Sequence, residues 1–288
     1  VLAHNAPASG ENKTVFPCWM RLGYSVRHSG GNAPFYFLFW IFMSTSNLSD
    51  RLQTLQRESA ALLQRAVAEH GDVVYSTSLG IEAMVLMDLV FTYAPEIEVF
   101  TLDTGRLHPE TLDLLDRVER RYKQRITVFY PNTASVEELV SKNGINGFYI
   151  GLEERQACCA VRKIEPFMRA IKGRKAWVTG VRREQSAERA KVEPIAWDER
   201  YDMWKISPLL DWTEADINDY VKAQALPYNP LHDQGYPSIG CAPCTRAVEP
   251  GADPRSGRWW WENPESRECG LQPRTRVTPI KPVKHSVT

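Results

Sequence analysis

Between residues 73 and 130 the chain repeats one pattern: a short apolar run, a turn of small polar residues, then an amphipathic stretch of helical period. The apolar runs cover 73–75, 98–102 and 126–130, and the helical stretches 82–91 and 109–122 lie between them. This alternation constrains the fold more than any other feature. Neighbouring strands joined through a helix run parallel, because a tight hairpin turn cannot make that connection. A strand at 176–179 extends the series, and residues 194–197 and 203–206 read as a hairpin. A helix over 47–70 precedes the first strand, with Gly71 placed to cap it. A capping box from Ser135 to Glu138 opens another helix, one carrying Cys158 and Cys159 runs to residue 171, and Thr213 with Asp216 starts one more. The expected fold class is α/β, a doubly wound and mostly parallel sheet ending in a loop-rich C-terminal arm.

With 288 residues the chain can bury the core of one large domain. Its 35 Lys and Arg balance 35 Asp and Glu, so no overall charge favours nucleic acid or a membrane surface. Anion recognition must rest on local arginine clusters. The six cysteines are Cys18, Cys158, Cys159, Cys241, Cys244 and Cys269. One adjacent pair and one C-x-x-C pair do not make the framework of a small secreted disulfide protein, so metal or redox chemistry in a reducing cytosol is expected. Residues 1–42 are rich in Gly, Asn, Ser and Pro and lack a regular period. The apolar run at 34–43, about ten residues, is too short to span a bilayer. Met43 stands just ahead of the first helix. A natural start there is expected, with 1–42 a start-site artefact or disordered extension and Cys18 without a role. Residues 43–254 then form the α/β domain and 255–288 a flexible arm.

Two consecutive strands end in turn-forming residues: Ser76, Thr77, Ser78, Leu79 and Gly80 after the first, Asp103, Thr104, Gly105 and Arg106 after the second. In an open parallel sheet, ligands sit at the carboxyl ends of the strands, and a helix N-terminus there attracts an anion. The first turn has neither the lysine of a Walker loop nor the G-x-G-x-x-G spacing, and alone it reads as an ordinary strand–helix junction. The two turns together point to a nucleotide. Ser76, Ser78 and Gly80 then face a phosphate, and Asp103 and Gly105 a ribose or base.

Cys158 and Cys159 with Cys241 and Cys244 offer four thiolates, a set for zinc or for an iron–sulfur cluster. Ligands from adjacent residues suit tetrahedral zinc poorly and favour the cluster. The fifth cysteine, Cys269, lies in Glu268-Cys269-Gly270-Leu271, on a Gly/Pro-rich segment preceded by Arg255, Arg258 and Arg267. Cationic neighbours favour the attacking thiolate, which makes Cys269 the candidate nucleophile; the alternative is an inert cysteine on a tail.

Taken together these segments resemble the bacterial assimilatory adenylyl-sulfate (APS) reductases, thioredoxin-dependent members of the PAPS/APS reductase family. The resemblance is carried by Cys158-Cys159 with Arg162-Lys163, by Gly240-Cys241 with Cys244 and Arg246, and by Gly257-Arg258-Trp259-Trp260-Trp261. Glu268-Cys269-Gly270-Leu271, the loop at 76–86, the turn at 102–111, the segment at 178–186 and Asn229 to His232 belong to the same pattern. It spans residues 48–271. The resemblance implies an adenine nucleotide alpha hydrolase-like (PP-loop type) fold. It implies one 4Fe–4S cluster per chain on Cys158, Cys159, Cys241 and Cys244, with thioredoxin or a glutaredoxin-like protein as reductant. The implied reaction reduces APS to sulfite and AMP through a thiosulfonate on Cys269, in sulfate assimilation and cysteine biosynthesis. Arg162, Lys163, Arg255 and Arg258 would hold the substrate anion, and Arg182, Arg183 and Arg189 an arginine-rich wall. A cytoplasmic homo-oligomer with no nucleic-acid or membrane partner is expected. Trp259, Trp260 and Trp261 read as packing at the base of the arm, and His108 and His232 as structural. Two residues depart from the family pattern: Leu79, where relatives often carry Phe or Gly, and Gln272, where they carry His. The nearest alternative is a PAPS or dual APS/PAPS reductase, which typically lacks the four clustered cysteines. More distant are a PP-loop ligase or adenylyltransferase, which needs no cysteine arm, and a non-enzymatic metal module, which leaves the nucleotide turns unused.

Overall fold

The structure is a computed structural model that describes residues 48–185, 189–263 and 271. Helix α1 (Asp50–His70) leads into β1 (Val73–Thr77), α2 (Ile81–Tyr93), β2 (Glu98–Leu102), α3 (Pro109–Tyr122), β3 (Thr127–Phe129) and α4 (Thr133–Asn143). Then follow α5 (Leu152–Cys159), α6 (Glu165–Ile171), β4 (Ala176–Val178), β5 (Ile195–Asp198), β6 (Met203–Ile206) and α7 (Glu214–Ala223). The six strands among the described residues form one sheet in the order β3-β2-β1-β4-β6-β5. Every neighbouring pair is parallel except β5 with β6, the hairpin expected from sequence.

The period of two along the strands divides the core. Val73 and Tyr75, Val99, Ala176 and Val178, and Ile206 face a cluster shared with α1, α2, α3 and α7. The intervening Val74, Phe100, Leu102, Trp177 and Met203 face a second cluster with Phe167, Ala170 and Ile171 of α6. Helices thus cover both faces, which is why the strands read as near-continuous apolar runs. Helix α2 is apolar on nearly all sides and buries seven residues from Ala83 to Val90, as a helix at the centre of a layer must.

Local chemistry sets the ends of the helices. The cap of α4 is Asn132, whose Oδ1 accepts from the Ser135 N–H at 3.2 Å. The expected Ser135–Glu138 box lies within the helix, since asparagine caps as well as serine and stands one turn earlier. The α7 box is present: Thr213 Oγ1 accepts from the Asp216 N–H at 3.1 Å, and Asp216 Oδ2 accepts from the Thr213 N–H at 2.8 Å. Arg51 also donates to Asp216 from Nε and Nη2, each at 2.7 Å. These hydrogen bonds, the Arg51 pair first, hold the Asp216 carboxyl down at about 2. That lies below the unfolded range, so the contribution is complete above about pH 4 and is lost as pH falls toward 2. An Asp216→Asn chain is expected to be less stable by about 1 kcal/mol near neutral pH, because exposed Arg51 adds little beyond the cap. The difference from the unaltered chain should shrink below about pH 3 in urea titrations.

One helix is broken in a way the sequence period does not show. Residues Ala160–Ile164 form a π-helical turn between α5 and α6, and the Glu165 N–H bonds to the carbonyl of Ala160. Pro166 supplies the cause, having no N–H to give the carbonyl of Arg162. The widened turn begins at the residue after Cys159, in keeping with the habit of π-bulges to mark functional sites. Among the described residues no helix is long and apolar enough to cross a membrane.

Candidate active site

The sheet order reverses at β1 and β4, since the chain leaves β1 toward β2 and β4 toward β6. Such a switch point opens a crevice beyond the carboxyl ends of the strands. A cavity of about 1170 Å³ lies there, lined by Ser76 near the end of β1, Ser78 and Gly80 beyond it, and Thr179, Gly180 and Arg182 after β4. Gly80 is the N-cap of α2, and no side chain caps that helix end. Its first N–H groups and the positive end of its dipole are therefore open to an anion. Leu79 sits in the left-handed region at φ 57° while 2 % exposed. The conformation costs about 1–2 kcal/mol, and burying the leucine side chain returns a similar amount, about 2 kcal/mol, so a loop that glycine would enter freely tolerates leucine.

The cations expected at the anion divide into two groups. Lys163, Arg182, Arg189, Arg255 and Arg258 line the cavity. Arg182 is buried there and donates to Glu82 Oε1 at 3.1 Å and to Glu184 Oε2 at 2.7 Å. Arg189 donates to Gln185 Oε1. Arg183 and Arg162 are not on the cavity wall. Arg183 ties Asp211 at 2.8 Å to the carbonyls of Ala190 and Val192. Arg162 Nη1 donates to the Thr104 carbonyl at 2.8 Å, against Gly105. Asp103 and Gly105 complete that turn rather than line the cavity: the Gly105 N–H donates to Asp103 Oδ1 at 2.8 Å, and Gly105 has φ 69°. His232 lines the cavity, and burial pulls both His108 and His232 down, which leaves each imidazole uncharged at neutral pH.

The same turn reaches the cysteines. Thr104 Oγ1 and Cys241 Sγ are 3.2 Å apart, and Leu107 pairs with Cys241 in a β-bridge. Cys158, Cys241 and Cys244 pack with Phe148, Trp259 and Trp261 in one small apolar cluster. None of the four described cysteines is in a disulfide. Burial pushes the Cys158 thiol up, Arg162 opposes it and Cys241 adds to it. Cys244 is pushed up to about 12 by burial and then by Cys241, Cys159 and Cys158. Among the described residues no group of three or more His, Cys, Asp and Glu side chains is arranged to hold a single metal ion. Cys269 lies outside the described residues.

Three participants escape notice in the sequence. Arg155 stands one helical turn before the cysteine pair and forms a buried bidentate ion pair with Glu262, both distances 2.8 Å. Its position four residues before Cys159 was the available signal. Tyr149 donates to the Pro243 carbonyl at 2.6 Å between the two cysteines of the C-x-x-C pair, and Arg106 lies 5.3 Å from the Phe148 ring. Nothing local singles those two out.

An open, mostly parallel sheet with an uncapped helix N-terminus and a cation-lined cavity at its switch point places the chain among α/β proteins of the adenine nucleotide alpha hydrolase-like, PP-loop fold. A family profile, the phosphoadenosine phosphosulfate reductase domain, matches residues 72–247, and the chain belongs to that family. It is 48 % identical over 237 residues to an adenosine 5′-phosphosulfate reductase of Allochromatium vinosum, covering 82 % of this chain and 92 % of that one. A protein of the same description from Burkholderia cepacia is 48 % identical over 220 residues, covering 76 % and 88 %. A crystal structure of phosphoadenylyl-sulfate (PAPS) reductase from Candida auris, a phosphate complex, superposes with a TM-score of 0.58 at 28 % identity, over 70 % of this chain and 98 % of that one.

Proposed function

We propose that this chain reduces APS to sulfite and AMP, with a thioredoxin or glutaredoxin-like dithiol as electron donor. One observation carries the reading: a single cavity gathers the phosphate turn after β1, the cations Lys163, Arg255 and Arg258, and Leu271, two residues beyond Cys269. The names of the bacterial relatives support APS as the substrate.

The uncapped α2 N-terminus and the arginines hold the phosphate and sulfate oxygens, so charge developing on them meets fixed donors. The Cys269 thiolate attacks the sulfate sulfur. A sulfur–sulfur bond forms, the sulfur–oxygen bond to the phosphate breaks, and AMP leaves with the electron pair. A dithiol reductant then attacks the Cys269 sulfur and expels sulfite with its bonding pair. The second thiol closes a disulfide on the reductant and frees Cys269, so the dithiol supplies both electrons. No general base is needed once the thiolate is present, in line with uncharged His108 and His232. The domain at 43–254 supplies most of the cavity wall, and the segment at 255–288 adds Arg255 and Arg258 and carries the nucleophile. The reading places the reaction in the cytoplasm.

The four clustered cysteines fit a 4Fe–4S group. Cys158, Cys241 and Cys244 come from two segments into one apolar shell, none of the four is in a disulfide, and burial pushes the Cys158 and Cys244 thiols up, so bound cations would stabilise their thiolates. Cys158, Cys159, Cys241 and Cys244 would hold the group, whose positive irons would strengthen the field on a bound sulfate.

The test presents APS and PAPS separately to the anaerobic protein without reductant, followed by mass spectrometry of the cysteines. A sulfite adduct on Cys269 from APS, discharged by reduced thioredoxin, is the expected result. An adduct formed faster from PAPS would reassign the substrate, and no adduct from either would end the proposal.

A further inference from the structure

Gly240 lines the cavity next to Cys241, and the space a side chain on it would occupy is filled by a guanidinium. A Cβ added there would overlap Nη2 of Arg258 and stand 2.5 Å from its Cζ and 2.9 Å from its Nη1. We infer that Gly240 is a positioning residue that seats the Arg258 guanidinium on the cavity wall, an inference that rests on the cavity being the APS site.

Arg258 lines the cavity yet is only 7 % exposed. A long side chain reaching toward solvent ordinarily samples many rotamers, so its burial needs a cause. Thr245 pairs with Arg258 across a β-bridge, and the Gly240 N–H donates to Thr245 Oγ1 at 3.2 Å. That ladder brings the Gly240 backbone and the Arg258 side chain together. Arg258 Cζ also lies 4.6 Å from the centroid of the Trp259 ring, and Nη1 donates to Ser238 Oγ at 3.5 Å. Trp259 cannot easily yield. Its backbone is left-handed at φ 44°, it is 2 % exposed, and Arg155 packs on its ring at 4.7 Å. A buried non-glycine residue in that conformation persists only where its surroundings hold it.

The requirement at Gly240 is for space and not for backbone freedom, since no positive φ is involved. The obstructing atoms are the far end of one side chain. Alanine is therefore cheap for the fold, which needs only to move the guanidinium, and costly for an anion that needs that guanidinium in place. A displacement of about 1 Å at such a contact costs about 100-fold in rate.

Gly240→Ala is expected to lower kcat/KM for APS about 100-fold while the thermal midpoint moves by no more than about 2 °C. In an Arg258→Lys background, where a slim ammonium leaves room for the methyl group, the same substitution should cost less than about threefold, a coupling a merely structural glycine would not show. Wild-type kinetics in Gly240→Ala would overturn the inference. So would a 100-fold loss that persists in the Arg258→Lys background. If Gly240→Ala yields no folded protein, recovery of folded protein in the Gly240→Ala/Arg258→Lys chain supports the steric cause, and failure to recover overturns it. An unaltered chain that makes no sulfite from APS would instead strike the proposed function, before any variant is compared.

Discussion

A Cys269→Ser chain given APS and reduced thioredoxin is expected to release sulfite at least about 1,000-fold more slowly than the unaltered chain. Serine nearly preserves volume, so the loss should come from chemistry and not from packing. The hydroxyl holds its proton at neutral pH, whereas a thiol among cations is readily ionised. An oxygen nucleophile would also give a sulfate ester, which offers the reductant no sulfur–sulfur bond to cleave. Both halves of the reaction fail together, and that makes this the largest effect the reading predicts. Binding of AMP should persist, because the phosphate contacts proposed for Ser76, Ser78 and the α2 N-terminus do not involve Cys269. Sulfite release at an undiminished rate would remove Cys269 from the mechanism; loss of both AMP binding and turnover would point to a damaged cavity.

The fold was legible because its signals are local. A period of two gives the strands, a period near four the helices, and their alternation leaves only the parallel sheet. The hairpin and the Thr213–Asp216 box were readable for the same reason. Spacing also set Cys158, Cys241 and Cys244 apart as a group, and the three do pack in one apolar cluster. Direction was not legible. Arg182 and Arg183 are neighbours in one arginine-rich run, yet Arg182 turns inward to Glu82 and Glu184 while Arg183 reaches Asp211. Nothing in composition distinguishes them. Arg162 reads as a substrate ligand beside Lys163, but the wide turn separates them: Lys163 lines the cavity and Arg162 holds the turn after β2. The tryptophan run reads as packing, and Trp259 is indeed buried against Phe148 and Cys244. Its left-handed backbone and the two guanidinium groups on it depend on pairings far apart in sequence, which no window reveals.

The longest of those pairings sets the second large effect. Arg155 and Glu262 are 107 residues apart, form two hydrogen bonds of 2.8 Å, and expose only 4 % and 5 % of their side chains. Burial pulls the Arg155 guanidinium down, but the hydrogen bonds to Glu262 and the nearby Cys159 more than restore it, and the net direction is up. Glu262→Leu leaves that cation buried beside Trp259 without its carboxylate, a change that typically costs about 3–5 kcal/mol. Against a total of about 5–15 kcal/mol for a domain, this is a fifth or more, and the thermal midpoint should fall by roughly 10 °C. The double variant Arg155→Met/Glu262→Leu removes both charges, fills the same space with apolar groups and should recover most of the loss. The comparison decides between two accounts. If the single and double variants unfold at the same urea concentration, the pair is solvated and the helix bearing Cys158 and Cys159 is joined to the Trp259 segment by packing alone. If the double variant recovers, the desolvated charge is the cost, and the pair is the clamp that holds the cysteine helix against the segment that carries Arg258.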